Sequence, residues 1–451
     1  MRTAALHNLG CKVNSYETEA MQQLLEEAGY EIVSFHEKAD VYIINTCTVT
    51  NLADRKSRQM LHKAKKENPD SIVVAAGCYV QTSSEEAARD LSVDIIIGND
   101  KKHELVELIE NCMNQKKNAN EETEGVDDWK ENICDINEKG RAYEALSISR
   151  TEEHTRAFLK VQDGCNQFCT YCIIPKVRGN YRSVPMERLV NEARELAEQG
   201  VKELILVAQE TTLYGKDLYG EKSLHKLVRE LCNISGIRWI RILYCYPEEI
   251  TDELIQVMKE EPKVCHYLDL PIQHANDTIL KRMGRRTTKQ ELVNIVEKLR
   301  SEIPDICLRT TLITGFPGET AEQHEELMQF VDEMEFDRLG VFTYSPEEDT
   351  PAAGMPEQIE EEVKEDRQAE IMELQQEIAF DKAEDMIGRE VLVMIEGKVA
   401  DENAYVGRTY RDAPNVDGLI FINTNEELLS GDFARVKVTG ALDYDLIGEL
   451  L

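Results

Sequence analysis

Cys165-Asn166-Gln167-Phe168-Cys169-Thr170-Tyr171-Cys172 sets three cysteines at spacings of four and three, just after the apolar run 157–161. In a loop past a strand end, thiolates so spaced can wrap three irons of a cubane and leave the fourth iron without a protein ligand. Closely spaced cysteines are established ligands of 4Fe-4S clusters, although the ferredoxin spacings differ from this one. The open iron needs another ligand, and the amino and carboxylate groups of S-adenosylmethionine (SAM) can fill it. A zinc site also uses thiolates, but it normally pairs two short Cys-x-x-Cys units and closes with a fourth ligand. Spacing by itself leaves both metals open and favours the cluster.

Around this loop, apolar runs at 157–161, 203–208, 239–242, 267–271, 307–313 and 338–343 alternate with helical stretches. Six strand–helix units in series predict an open or partial (β/α)6 barrel, with functional groups at the carboxyl ends of its strands. Upstream, strands at 2–9, 40–45, 71–76 and 93–97 alternate with helices at 15–28, 55–68 and 102–112. That alternation predicts a doubly wound parallel sheet over 1–113. Residues 114–153 lose apolar periodicity and gain charge, which reads as a mobile or partly ordered acidic linker. A charged helical connector at 357–385 completes a domain of 154–385. Residues 386–451 alternate short strands with Gly and Asp turns, the pattern of a small antiparallel β-barrel. The predicted class is α/β.

A second constellation depends on where three isolated cysteines fall. Cys11 follows the first strand in Leu9-Gly10-Cys11, Cys47 the second in Asn45-Thr46-Cys47, and Cys78 the third in Ala76-Gly77-Cys78. In a doubly wound sheet the carboxyl strand ends share one edge, where ligands bind. Three thiolates there can converge on one metal site, Gly10 and Gly77 permit tight turns beside it, and Asn45 and Thr48 are candidate donors to cluster sulfurs. One such cysteine reads as a small buried thiol; three at equivalent strand ends favour a second cluster. Core packing accounts for Cys112, Cys134, Cys232, Cys245, Cys265 and Cys307. His274, in Leu270-Pro271-Ile272-Gln273-His274, fits a polar site lining and a structural histidine equally.

At 451 residues the chain holds two or three domains, and it has no apolar stretch near the ~20 residues of a membrane span. The polar start MRTAALHNLGC does not read as a secretory signal, so a cytoplasmic location is expected. In that reducing compartment twelve cysteines point to metal ligands, catalytic thiols or core residues before disulfides. With 86 acidic against 52 basic residues the net charge is −34, a field that repels phosphate backbones and attracts basic partners.

The triplet Cys165, Cys169 and Cys172 resembles the radical-SAM signature, and Cys11, Cys47 and Cys78 resemble the auxiliary-cluster ligands of the methylthiotransferases. The likeness covers essentially the whole chain, with 386–451 resembling a TRAM domain. From about Pro175 the motifs RGNYRSVPME, AQETTLYGKDLYGE, RWIRILYCYPEEITDEL, YLDLPIQHANDTILKRMGRRTT, LRTTLITGFPGET, DRLGVFTYSPEEDTPAA and YVGRTYRDAP are similar to the RimO type, which modifies an aspartate of ribosomal small-subunit protein twelve. In the first domain GCKVNSYETEAMQQLLEEAGYE, INTCTVTNLADRKSRQ and AAGCYVQ look more like the enzymes that methylthiolate N6-threonylcarbamoyladenosine beside the tRNA anticodon.

The resemblance implies two 4Fe-4S clusters and SAM as cofactors. It also implies SAM cleavage at the Cys165/Cys169/Cys172 cluster, hydrogen abstraction from the substrate, and delivery of the methylthio group from the Cys11/Cys47/Cys78 cluster. A low-potential electron donor such as flavodoxin or ferredoxin is implied, and no general base is expected. Gln209, Glu210, Gln273 and Gly315 at the strand ends are the candidate SAM contacts. Residues 386–451 hold 12 acids and 6 bases, which suits a basic ribosomal protein better than RNA, although Arg408 and Arg411 offer local phosphate contacts and the helix 55–66 is basic. tRNA is the alternative substrate, and a non-catalytic iron–sulfur carrier or sensor is the alternative of another class. Failure to cleave SAM on reduction would mark that last class.

Overall fold

In the computed structural model, which describes residues 1–48, 51–118, 131–138, 143–144, 146–400 and 403–451, the first sheet is parallel throughout. Its strands are β1 (Thr3–Asn8), β2 (Glu31–Ile32), β3 (Val41–Thr46), β4 (Ile72–Gly77), β5 (Ile95–Ile97) and β6 (Glu131–Asn132), in the order β2-β1-β3-β4-β5-β6. β3 and β4 are buried along their whole length, which is why they read as near-continuous apolar runs and not as alternation. Successive residues face opposite sides of the sheet. Val41, Ile43 and Val74 meet Met21 and Leu25 on one face, while Tyr42, Ile44 and Val73 meet Leu61 and Ala64 on the other. Helices therefore cover both faces, the doubly wound arrangement.

Described parts of the 114–153 stretch are built into the fold. β6 extends the first sheet, and Leu146 and Ile148 are buried in the largest core. Two or three residues that fit a sheet edge or a core gap are too few to register as periodicity. Residues 119–130 of that stretch lie outside the described residues.

The second sheet is formed by β7 (Arg156–Lys160) and, after a short antiparallel pair of β8 (Gln162–Asp163) and β9 (Arg182–Ser183), by β10 (Glu203–Val207), β11 (Trp239–Ile242), β12 (Val264–Gln273), β13 (Cys307–Thr314) and β14 (Arg338–Thr343). All six are parallel and lie in chain order, β14-β13-β12-β11-β10-β7, as an open partial barrel. A helix at Glu361–Glu384 leads to a closed barrel of β15 (Glu390–Lys398), β16 (Ala404–Thr409), β17 (Ile420–Asn423), β18 (Phe433–Leu442) and β19 (Asp445–Leu450). The expected antiparallel barrel needs one correction, because β17 and β19 pair parallel. An odd number of strands closed into a ring cannot alternate direction all the way round.

The three parts are welded together. Val13 of the first domain, Ile205, Val207, Leu243 and Tyr267 inside the partial barrel, and Met394 and Ala413 of the C-terminal barrel share one apolar cluster. Beside it, buried Glu203 accepts from Arg241 Nε at 2.8 Å and Arg408 Nη2 at 2.5 Å, and Arg411 Nη2 reaches Asp337 Oδ1 at 2.7 Å. Arg408 and Arg411 are thus spent on the domain junction and are not presented to a phosphate backbone. Burial works to raise the Glu203 carboxyl, but the two guanidinium groups hold it down to about 2. Its stabilisation is therefore complete above the ordinary carboxylate range and lost as pH falls toward 2. Arg408→Ala is expected to destabilise the protein by about 3–5 kcal/mol in urea unfolding, since it breaks a buried pair. A change under about 1 kcal/mol would mean that the junction relaxes or hydrates.

Candidate functional site

Parallel register decides where the first three cysteines fall. Asn8 pairs with Asn45, Asn45 with Ala76 and Thr46 with Gly77, so the residues that follow β1, β3 and β4 emerge side by side at one edge. Cys11 caps the helix Lys12–Glu27, Cys47 leaves β3, and Cys78 opens a short helix after β4. Gly10, at φ +111°, has no room for a side chain: a Cβ there would stand 2.9 Å from Cys47 Sγ. Gly77, at φ +101°, would meet Asn45 Oδ1 and the Thr46 carbonyl at 2.7 Å. Both glycines let the cysteine loops approach each other closely.

The predicted sulfur donors are arranged otherwise. Asn45 Nδ2 donates to the Asn14 carbonyl and to Thr18 Oγ1, both at 3.0 Å, and so braces the helix behind Cys11. Thr48 bonds Asp54. The donor that does face a sulfur is Asn99, whose Nδ2 lies 3.5 Å from Cys78 Sγ, and nothing in its sequence context singles it out.

The loop carrying Cys165, Cys169 and Cys172 begins where Gly164, at φ +78°, lies so close to Gly179 and Asn180 that a Cβ would stand 2.4 Å from a carbonyl oxygen. Cys165 N then donates to Gly179 O at 3.1 Å, and Thr170 N to Met283 O at 2.9 Å. Tyr246 Oη lies 2.9 Å from Cys169 Sγ. Burial pushes the Cys165 thiol well above its ordinary value, Cys172 up to about 12, and Cys11 upward as well. In the metal-free protein these groups are thiols, and iron's charge is what would hold them as thiolates. Among the described residues no three Cys, His, Asp or Glu side chains close on a single ion. A cubane bound at three separate corners spreads its sulfurs wider than one ion does, and the all-thiolate donor sets fit iron–sulfur chemistry.

The four strand-end candidates differ in what they present. Gln209 Oε1 accepts from Gly164 N at 2.7 Å, pinning the start of the cysteine loop, while its Nε2 is buried without a hydrogen-bond partner. Glu210 turns onto its own loop, accepting from Thr212 N at 2.8 Å and Leu213 N at 3.1 Å, and burial raises its carboxyl to about 7. Gln273, at φ +73°, lines a cavity of about 280 Å³ together with Cys172 and Ile173. At Gly315, just after β13, Lys364 Cγ stands 2.2 Å from where a Cβ would be. The missing side chain makes room for the Glu361–Glu384 helix. His274 is fully buried, accepts at Nδ1 from Asn276 N at 2.9 Å and is pushed down to about 3 by burial, so it is neutral.

A buried charge network between the two cysteine loops escaped the sequence reading. Arg178 Nη1 meets Glu17 Oε1 at 2.7 Å and Asp163 Oδ1 at 3.0 Å, while its Nη2 meets Asn14 Oδ1 at 2.7 Å. Lys160 at 2.6 Å and Lys102 at 3.0 Å complete the shell around Glu17. Cys78 packs against Ile173 and Val177, so the first-domain edge and the second loop meet directly. On the other side of Cys11, a cavity of about 600 Å³ is lined by Lys12, Glu19, Glu152, Tyr244 and Asn415, drawing on all three parts of the chain.

Three family patterns match in succession: Uncharacterized protein family UPF0004 at residues 3–98, the Radical SAM superfamily at 159–331 and the TRAM domain at 387–451. Among solved structures, the radical S-adenosylmethionine methyltransferase TsrM from Kitasatospora setae is similar in fold, with a TM-score of 0.55 at 15% identity over 78% of this chain and 77% of that one. The ribosomal protein uS12 methylthiotransferase RimO of Lachnoclostridium phytofermentans is 51% identical over 98% of both chains. The RimO of Desulfitobacterium hafniense is 42% identical over 100% of this chain and 99% of its own. With cysteine loops of this kind and likeness along its full length, the chain belongs to the RimO family of radical SAM methylthiotransferases.

Proposed function

We propose that this protein transfers a methylthio group to an aspartate of ribosomal protein uS12. In this reading Cys165, Cys169 and Cys172 hold one 4Fe-4S cluster, Cys11, Cys47 and Cys78 hold a second, and SAM is the co-substrate. The observation that carries it is the junction of the two cysteine loops, where Cys78 lies on Ile173 and Val177 and Arg178 spans Glu17 and Asp163. When bound, the clusters and SAM supply the one-electron and sulfur chemistry that an unactivated C–H bond requires and acid–base side chains do not provide.

The chain's own residues hold the two loops together, orient the substrate and exclude water. The buried Nε2 of Gln209 suits a polar group of the cofactor at the strand ends, and the mostly apolar cavity beside Gln273 and Cys172, walled by Ile173, Ile313 and Phe342, suits a flat ring. The cavity beside Cys11 offers the substrate a way in, and Glu152 and Glu153 on its walls, against the single Lys12, favour a basic polypeptide over a phosphate chain. The C-terminal barrel's Arg408 and Arg411 are buried in ion pairs, and on the helix Asn51–Glu67 Arg58 and Lys65 are matched by Glu86 and Asp94. Arg55, Lys56 and Lys66 stay exposed on that helix, so the case against tRNA rests on the barrel's spent arginines and on the acidic cavity wall. Reducing equivalents would come from a low-potential donor of the flavodoxin or ferredoxin kind.

Purified enzyme given SAM, reductant and either uS12 or tRNA is expected to place a methylthio mass shift on the protein, with binding that weakens as salt rises. A shift on tRNA alone overturns the substrate reading. Replacing Cys11, Cys47 or Cys78 with Ala is expected to stop methylthio transfer while 5′-deoxyadenosine formation continues. Transfer at the parent rate in those variants would reduce the second triplet to a structural role.

A further inference from the structure

The side chain of Arg285 is 1% exposed, and its nearest carboxylate oxygen, Glu248 Oε2, is 3.5 Å away. Nη2 donates to the Pro271 carbonyl at 3.2 Å, but Nε and Nη1 have no hydrogen-bond partner. The guanidinium instead lies over the ring of Tyr246, 4.0 Å from its centroid. That ring's hydroxyl is the group 2.9 Å from Cys169 Sγ. A buried cation so thinly neutralised keeps a long-range field, because little solvent screens it.

A cysteine sulfur bound to iron has no proton to give, so of the two atoms only Tyr246 Oη can then be the donor. Resting on the assignment of Cys165, Cys169 and Cys172 as cluster ligands, we infer that Tyr246, clamped by Arg285, donates a hydrogen bond to the Cys169 sulfur and raises the reduction potential of that cluster. Reduction adds a negative charge, and a donor on a ligating sulfur together with a nearby buried cation favours the more negative state. The pair would make the electron that cleaves SAM easier to load. Both are positioning residues, acting through the sulfur and not on the substrate. Tyr171 brings a second buried hydroxyl toward the same sulfur and is left in place in the test.

The test is an anaerobic redox titration of the full-length, iron-loaded protein followed by electron paramagnetic resonance, reading the signal that changes when SAM is added. Tyr246→Phe keeps the ring and its stack on Arg285 but removes the donor. Its reduced-to-oxidised ratio at a fixed solution potential is expected to fall about tenfold, a downward shift of about 59 mV for a one-electron couple. Arg285→Met is expected to shift the same way, and Arg285→Lys to restore much of the parent value by returning the charge. A Tyr246→Phe protein with full iron content and the parent potential overturns the inference, whatever Arg285→Met does. Loss of iron on replacing the three cysteines, or its absence, judges the ligand assignment separately.

Discussion

Protein in which Cys165, Cys169 and Cys172 are all replaced by Ala is expected to form no 5′-deoxyadenosine from SAM and to bind about four irons where the parent binds about eight. The loss is complete because nothing else in the partial barrel offers thiolates: Cys232 ends a helix, Cys265 and Cys307 stand at the starts of their strands, and Cys245, just past β11, is buried in the apolar core. The remaining irons report the first-domain edge, whose cysteines lie on separate elements and do not need the second loop's sulfurs. Anaerobic reconstitution followed by iron assay and chromatography of the SAM products reads both outcomes. Parent protein saturating at about four irons would remove the two-cluster reading.

The largest stability effect is expected at Glu17. Its carboxylate sits among Arg178, Lys160 and Lys102, all buried, and shares the first two with Asp163. Burial alone would raise this carboxyl, but the surrounding cations hold it well below the usual range. Glu17→Gln keeps the shape and removes the charge, leaving three buried cations to one carboxylate. The expected cost is at least about 3–5 kcal/mol, read as a lower urea midpoint with an unchanged slope. The sign also fixes the pH dependence: this stabilisation is whole above the ordinary carboxylate range and is lost as pH falls below it. A Glu17→Gln protein as stable as its parent would show that water or a rearranged lysine already compensates.

The cysteine loops were readable because period and position coincide: apolar runs mark the strands, parallel strands align their ends, and cysteines stand just past those ends. The salt network was not, since Glu17, Lys102, Asp163 and Arg178 each resemble a solvated surface charge in their own stretch and only the packed domains make them neighbours. The packing role of Gly315 was hidden for a related reason. A glycine at a strand end is equally consistent with a bound ligand and with a helix pressing close, and Lys364 is far along the chain. Tyr246 carried a usable signal, four residues past β11 in a loop at the functional end of the sheet. Asn45 had the right position and the wrong direction, because side-chain orientation is set by the helix it braces.

The buried Arg408–Glu203–Arg241 junction makes the C-terminal barrel something other than a tethered arm. A domain on a flexible strap raises the local concentration of its partner and lets it wander; a domain bolted through desolvated charges holds its partner at one distance and one angle. Whatever docks on this barrel is therefore measured against the cysteine loops as if by a fixed gauge. Discrimination among polypeptides that all carry aspartates then becomes a question of reach, decided by which residue arrives at the right depth.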